Sequence, residues 1–186
     1  RVGRPAGEAF EIARQRLLTW ESYRVENVLW TGVTQDGEGV TPSFAFGNAE
    51  CDIEPEDLSP SGAVDPVSAI ALLEAALGEQ VSCGGTLHVP YGLMAYLAAN
   101  HLLIQDGEEL YSPTGLKIVA GHGYPGSGPD NDAAAAGTTW VFATGPMIIV
   151  RSNVIMVPDT IGESVDRLIN NVTVRAERMY SIGFSC

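Results

Sequence analysis

The sequence predicts an α+β fold, and three observations carry this prediction. Residues 7–24 and 65–78 show the apolar spacing of helices. Several short apolar runs, bounded by glycine and proline, have the character of strands. In the C-terminal run 171–184, apolar side chains take the even positions and most polar ones the odd positions, which indicates an unusually long strand. Together these elements predict an α+β protein.

Composition limits the kind of protein this can be. The 186 residues are 45% hydrophobic and 18% charged, which is typical of a globular protein. The net charge is −13, which repels the phosphate backbone, so we expect no tight and no sequence-specific binding to a nucleic acid. The longest apolar runs are far shorter than a bilayer span, so we expect no membrane partner.

The first helix is predicted from apolar side chains at helical spacing, at Phe10, Ala13, Leu17 and Trp20. Glu8 and Glu11 lie near its start, where the helix dipole favours negative charge. Residues 25–30 fit either a continuation of this helix or an extended segment.

Residues 31–60 are rich in glycine, proline and acidic side chains, and no helix is predicted there. Phe44 and Phe46 fall on one face of this segment if it is extended. A segment this long is unusual as a simple connection. It is either an arm or extended hairpin that docks on a neighbouring subunit, or a loop that lies on its own domain.

The second helix has the clearest boundaries. Asp65 is predicted as its N-cap, Pro66 as its first residue and Gly78 as its C-cap. Only Ser68 and Glu74 are polar between Val67 and Leu77, so the helix must be covered on most sides. It is either a central core helix or one enclosed between a sheet and neighbouring subunits.

The middle of the chain predicts shorter elements. The predicted strands are 84–89, 110–112, 116–120, 138–144 and 147–157, with a helix from Pro90 to about Leu102 and helical turns within 163–169. The strands 110–112 and 116–120 form a hairpin around residues 112–115. The final strand 171–184 is about twice the usual strand length, so we expect it to span more than one local sheet.

No motif predicts catalysis, a cofactor or a metal, so we expect a protein that is not an enzyme. The three cysteines show no zinc or disulfide spacing. Residues 121–128 lack both the Gly-Lys-Ser/Thr ending of a phosphate loop and the Gly-x-Ser-x-Gly pattern of a nucleophile elbow. The acidic residues within 50–57 lack the loop of a calcium-binding hand and are interpreted as a solvated face. A pocket that gathers His88, His101 or His122 with carboxylates is the remaining enzyme alternative.

The order of elements, together with three sequence segments, resembles the major capsid proteins of tailed bacteriophages, whose Hong Kong 97-like fold is shared with encapsulins. The segment 170–178 is similar to the family's close, in which a strand reads V-x-x-R-A-E-R, here Val172 to Arg178. Segments 124–129 and 140–145 are similar to those of capsid-like proteins of actinobacterial phages.

This resemblance implies a division of the chain and a role. The N-terminal arm would be residues 1–31 and the extended loop 32–60. The peripheral region would consist of 61–89 and 145–186, with a spine helix at 65–78. The axial lobe would be residues 90–144. The role implied is a structural subunit of the virion shell, assembled in the host cytoplasm. It would form pentamers and hexamers with copies of itself, alongside other virion proteins, around a double-stranded DNA genome.

Some relatives crosslink a lysine of the extended loop to an asparagine, but Lys117 is the one lysine here and lies outside that loop, so no such crosslink is predicted. The family's last hydrophobic strand has no counterpart after Cys186, and the chain begins at Arg1, so we expect both ends to be edges of a longer protein.

Five residues are predicted at subunit interfaces. They are Trp30, Phe44 and Phe46 around the extended loop, and Arg175 and Arg178 on the final strand. The arginines, with Glu177, could form either cross-strand pairs within the chain or contacts between subunits. The alternative function is another virion structural protein: a decoration, head–tail connector or tail-tube subunit, which usually lacks a spine helix.

Overall fold

A computed structural model describes residues 6–32, 55–59, 61–80, 84–124, 126, 128, 133–166, 168 and 171–184. These residues form a mixture of helices and several small sheets, which confirms the predicted α+β class. They fall into two compact units. The first unit takes its described residues from 1–22 and 148–183, and the second unit takes its own from 23–147 together with Phe184.

The helices are α1 (Ala6–Thr31), α2 (Pro66–Gln80), α3 (Tyr91–Ala99) and the short α4 (Ile161–Ser164). Residues 25–30, for which the sequence allowed two conformations, belong to α1. The boundary between the two units falls within this helix, between Ser22 and Tyr23.

The start of α2 is fixed by Asp65, as predicted. Its Oδ1 accepts hydrogen bonds from the backbone N–H groups of Val67 at 3.0 Å and Ser68 at 3.1 Å, and its Oδ2 accepts one from the Ser68 hydroxyl at 2.5 Å. The bonds from Ser68 lower the pKa of the Asp65 carboxyl. The predicted C-cap at Gly78 is wrong, because the helix continues through Gly78 to Gln80.

The second unit is organised around a five-stranded sheet in the order β2-β3-β4-β1-β5. The strands are β1 (Thr86–Pro90), β2 (Ile104–Asp106), β3 (Glu109–Tyr111), β4 (Lys117–Gly121) and β5 (Phe142–Thr144). The predicted hairpin is present as β3 and β4, with Gly115 at φ 92° in its turn. The sequence missed β2, whose three residues are all exposed, and overextended β5, which was predicted from residue 138.

Strand β1 lies at the centre of the core. It pairs in parallel with β4 and antiparallel with β5, and Leu87, His88 and Val89 are all buried. Residues from α2, α3 and β4 complete the buried cluster, namely Ile70, Leu77, Leu97 and Ile118. Because β1 is covered on both edges and both faces, its consecutive residues are all buried, instead of alternating between buried and exposed.

The first unit contains the C-terminal strands, and here the prediction of one long strand is wrong. The run 171–184 divides into β9 (Asn171–Val172), β10 (Arg175–Glu177) and β11 (Tyr180–Phe184). Each has a different partner, respectively β8 (Val165–Asp166), β7 (Ile155–Val157) and β6 (Met147–Arg151). The expectation that this run spans more than one local sheet is therefore confirmed.

The predicted strand 147–157 is likewise divided, into β6 and β7, and the predicted turns at 163–169 reduce to α4. Hydrogen bonds join the two interruptions, from the Ser152 N–H to the Met179 carbonyl at 2.9 Å and from the Met179 N–H to the Ser152 hydroxyl at 3.0 Å. Residues 148–157 and 175–183 thus form one two-stranded ribbon within the first unit.

Candidate interaction surfaces

An exposed apolar strand is the most unusual surface of the first unit. In β6, Ile148 is 70% exposed, Ile149 49% and Val150 60%, so both faces of the strand are accessible. Several other large apolar side chains of this unit are also exposed, namely Ile155, Val157, Leu168 and Met179. All of these except Leu168 lie on the ribbon, and exposed apolar groups collected there favour a surface that is covered by another protein.

The helix α2 carries a second apolar surface. Its inner side contributes Ile70 and Leu77 to the core, whereas Val67 and Leu72 remain about 40% exposed. Val64, directly before the helix, is exposed as well. The sequence predicted that this helix is covered on most sides, and within the described part of the chain only one side is.

Trp30, predicted at an interface, is buried within its own chain. Its ring is 3% exposed and lies in an aromatic cluster, with ring centroids 4.4 Å from Phe142, 5.1 Å from His88 and 5.4 Å from Tyr124. The sequence placed it next to the extended loop, but the contacts place it in the core of the second unit, where the end of α1 packs on the sheet.

The cluster contains a buried histidine. The Nε2 atom of His88 lies 2.9 Å from the Thr144 hydroxyl, and burial lowers the pKa of His88 to about 4. Burial also raises the pKa of Tyr124, whose hydroxyl donates to the Val119 carbonyl at 3.3 Å. The cluster is thus held in its neutral form, which suits packing rather than proton transfer near neutral pH.

The end of α1 is attached to the loop after β4 by Glu26. Its carboxylate accepts hydrogen bonds from the backbone N–H groups of His122 at 3.1 Å and Gly123 at 2.9 Å. The Asn27 side chain donates to the Gly123 carbonyl at 3.4 Å. His122 and Gly123 therefore form a docking site for the end of α1.

We expect Gly123→Ala to destabilise the second unit by about 2 kcal/mol, because overpacking of a fitted contact costs about 1–3 kcal/mol. A Cβ atom there would lie 2.8 Å from both the Asn27 backbone nitrogen and the Tyr23 carbonyl oxygen. Chemical denaturation measures the change. The control is Gly92→Ala, where a Cβ meets no atom within 4 Å; an equal effect at both positions would contradict the docking role.

Arg178, the second predicted interface residue on the ribbon, is paired within the first unit. Its Nη1 atom lies 2.7 Å and 2.9 Å from the two carboxylate oxygens of Glu21, and the two side chains are only 13% and 10% exposed. Tyr180 also donates to Glu21. Hydrogen bonds to Tyr180 and Glu21 raise the pKa of Arg178. This pairing explains the one charged residue at an even position of the predicted strand.

Arg175 is the predicted interface residue that the structure leaves accessible. Its side chain is 72% exposed and pairs with Glu177, two residues along the same strand. Phe44 and Phe46, with nearly all of the predicted extended loop, lie outside the described residues.

The described residues bear on the metal and pocket alternatives that the sequence left open. No three His, Cys, Asp or Glu side chains among these residues are placed to hold a metal ion. A shallow groove of about 230 Å³ lies between α2 and the β3–β4 turn, lined by Glu74, Leu77, Gly78, Gly84, Thr114 and Leu116. It contains none of the three histidines, which the enzyme alternative requires.

Comparison with protein-family models, with curated proteins and with solved structures finds no match to this chain. Of the helices that the structure describes, none combines the length and the apolarity needed to cross a bilayer.

Proposed function

We propose that the chain is a structural subunit of a tailed-phage capsid shell, with a Hong Kong 97-like fold, that assembles with copies of itself into pentamers and hexamers around double-stranded DNA. The observation that carries this proposal is β6, where three consecutive large apolar residues are 49–70% exposed. An exposed apolar edge strand of this kind tends to pair with a strand of another chain. In a monomer it is normally protected by charge, proline or a covering element.

Further observations support an assembling protein. The apolar helix α2 has one side in the core and another accessible, as expected of a helix packed between its own sheet and a neighbour. The net charge of −13 disfavours adhesion to packaged DNA, which suits an enclosing shell more than a nucleic-acid-binding protein. The resemblance of residues 170–178 to the close of capsid proteins supplies the particular kind of assembly.

The alternative is another virion structural protein, such as a decoration, connector or tail-tube subunit. The exposed ribbon fits this alternative as well, because such proteins also associate through strands. The α2 helix supports the shell subunit, since its 15 residues lie where the resemblance assigns the spine helix.

The test is negative-stain electron microscopy of the purified protein, with size-exclusion chromatography. Uniform shells, or free pentamers and hexamers, are expected. Tubes or open rings would favour the connector or tail-tube alternative. A small monomer or dimer, unchanged in the presence of other virion proteins, would contradict the proposal and favour the enzyme alternative.

We expect the double substitution Ile148→Asp with Val150→Asp to abolish assembly while leaving the subunit folded. Both side chains are at least 60% exposed, so their replacement costs the isolated subunit little. Assembly is measured by microscopy and folding by circular dichroism. The control is Thr138→Asp with Thr139→Asp, which adds the same charge at two exposed positions of the second unit. Normal shells from the β6 variant would remove β6 from the interface.

A further inference from the structure

Among the residues that the structure describes, none pairs with the second edge of strand β10. It belongs to a two-stranded sheet and pairs only with β7, in the register Arg175 to Val157, Ala176 to Met156 and Glu177 to Ile155. Within the described parts of the chain, residues 175–177 make no backbone hydrogen bond outside this ladder. A two-stranded sheet is marginally stable by itself, and further strands stabilise it.

The charges on β10 are complementary to those of the same strand in reverse. Arg175 and Glu177 are two residues apart, so both side chains project from one face, with Ala176 between them on the other. They are 72% and 41% exposed and at present neutralise each other along the strand. An antiparallel copy centred on Ala176 would place each arginine directly opposite a glutamate.

We propose that a second copy of this chain adds its β10 antiparallel to this one, about a two-fold axis at Ala176. Arg175 then pairs with Glu177 of the partner subunit, and the reciprocal pair forms by symmetry. The result is a four-stranded sheet in the order β7-β10-β10-β7. This proposal deepens the proposed function, on which it rests, by naming one contact between subunits.

The charge pattern selects both the occupant and its direction. A parallel copy in register would bring arginine against arginine and glutamate against glutamate, which is unfavourable for directly opposed residues. In the antiparallel arrangement, the one ion pair within each strand is replaced by two ion pairs across the interface, and backbone hydrogen bonds are added at the free edge. The exposed Ile155 and Val157, beside Glu177 and Arg175 in the ladder, then extend the outer face of the enlarged sheet.

The decisive experiment uses two opposite charge reversals. Arg175→Glu leaves two acidic residues on β10, and Glu177→Arg leaves two basic residues, so neither variant can pair favourably with itself. We expect each to weaken self-association by about 30-fold, since two cross-strand pairs change from attraction to repulsion. Mixed together, the two variants should restore association, because acidic strands then oppose basic ones.

Analytical ultracentrifugation over a concentration series measures these associations, at low and high salt. The matched control is Arg16→Glu, which reverses an exposed arginine of α1, away from both β6 and β10, and should leave association unchanged. Self-association of either single reversal at the wild-type level, or failure of the mixture to associate, overturns the proposal.

A second variant tests the geometry directly. Ala176→Cys, with Cys51, Cys83 and Cys186 replaced by serine, puts two thiols opposite each other across the axis, at a spacing that a disulfide can bridge. Mild oxidation should give a covalent dimer on a non-reducing gel. The same thiol in the Arg175→Glu background should crosslink far less. No dimer from Ala176→Cys overturns the proposal even where the wild-type chain associates.

The two proposals fail separately. Shells that form normally from both charge reversals would overturn the β10 contact and leave the capsid proposal intact. A specific Ala176→Cys dimer from a protein that never forms shells, pentamers or hexamers would support the contact and overturn the capsid proposal.

Discussion

Replacing Trp30 with alanine is expected to destabilise the second unit by about 3–5 kcal/mol, the range for removing a buried aromatic side chain. The indole is 3% exposed and contacts Phe142, His88 and Tyr124. Its loss would leave a cavity where α1 meets the sheet, on residues that come from three separate parts of the chain. Urea denaturation of the isolated subunit measures the change in the free energy of unfolding.

Trp20→Ala provides the control on the same helix, because that ring is 59% exposed. We expect it to change the free energy of unfolding by less than about 1 kcal/mol. The comparison separates a core role for Trp30 from the interface role that the sequence predicted. A Trp30→Ala subunit of normal stability that fails only in assembly would support the interface role and contradict the packing.

The sequence predicted structure correctly where neighbouring residues alone determine it. The cap at Asp65 was predictable because a carboxylate before Pro66 satisfies the free N–H groups of the first turn, and these bonds are present. Gly78 was misread because a glycine ends a helix only if the backbone turns left-handed there, and in α2 helical hydrogen bonding continues past it.

The C-terminal ribbon shows where periodicity stops being informative. Alternation correctly predicted that the even positions Val172 and Val174 are less exposed than their neighbours. Strand continuity is decided by partners far away in sequence, and three different strands pair with this run. A pattern with period two does not reveal such partners, so one long strand was predicted where three short ones exist.

Contacts distant in sequence also decide which of the two predicted interface arginines is buried and which is exposed. Arg178 and Glu21 are 157 positions apart, and no local pattern shows that one neutralises the other. The signal available was that Arg178 interrupts the apolar positions of the run, which indicates a charge that needs a buried partner. Arg175 lies at an exposed, odd position, and it remains accessible for another subunit.

The buried aromatic cluster also has a consequence for acid stability. The sequence offered His88 as one of three histidines for the enzyme alternative, and β1 buries its side chain to 3% exposure. Desolvation of the imidazolium lowers the pKa of His88 to about 4 from the usual 6.5. Trp30, Tyr124 and the Thr144 hydroxyl lie next to the ring.

We therefore expect the second unit to lose stability as the pH falls from about 6.5 to about 4. In this window the unfolded chain binds a proton at His88 and the folded chain does not, so acid favours unfolding. The loss approaches about 3 kcal/mol across the window, since one pKa unit corresponds to 1.36 kcal/mol. The measurement is urea denaturation at pH 7, 5.5 and 4.5.

The variant His88→Phe with Thr144→Val removes the titrating ring together with its 2.9 Å hydrogen-bond partner and keeps an aromatic side chain in the cluster. Its stability should fall less between pH 7 and 4.5, and the difference from the wild type isolates His88 from the carboxyl groups that titrate in both proteins. Thr144→Val alone keeps the imidazole and should retain most of the wild-type slope. Equal slopes in all three proteins would mean that His88 is protonated in the folded chain, and would contradict its place in a closed, neutral core.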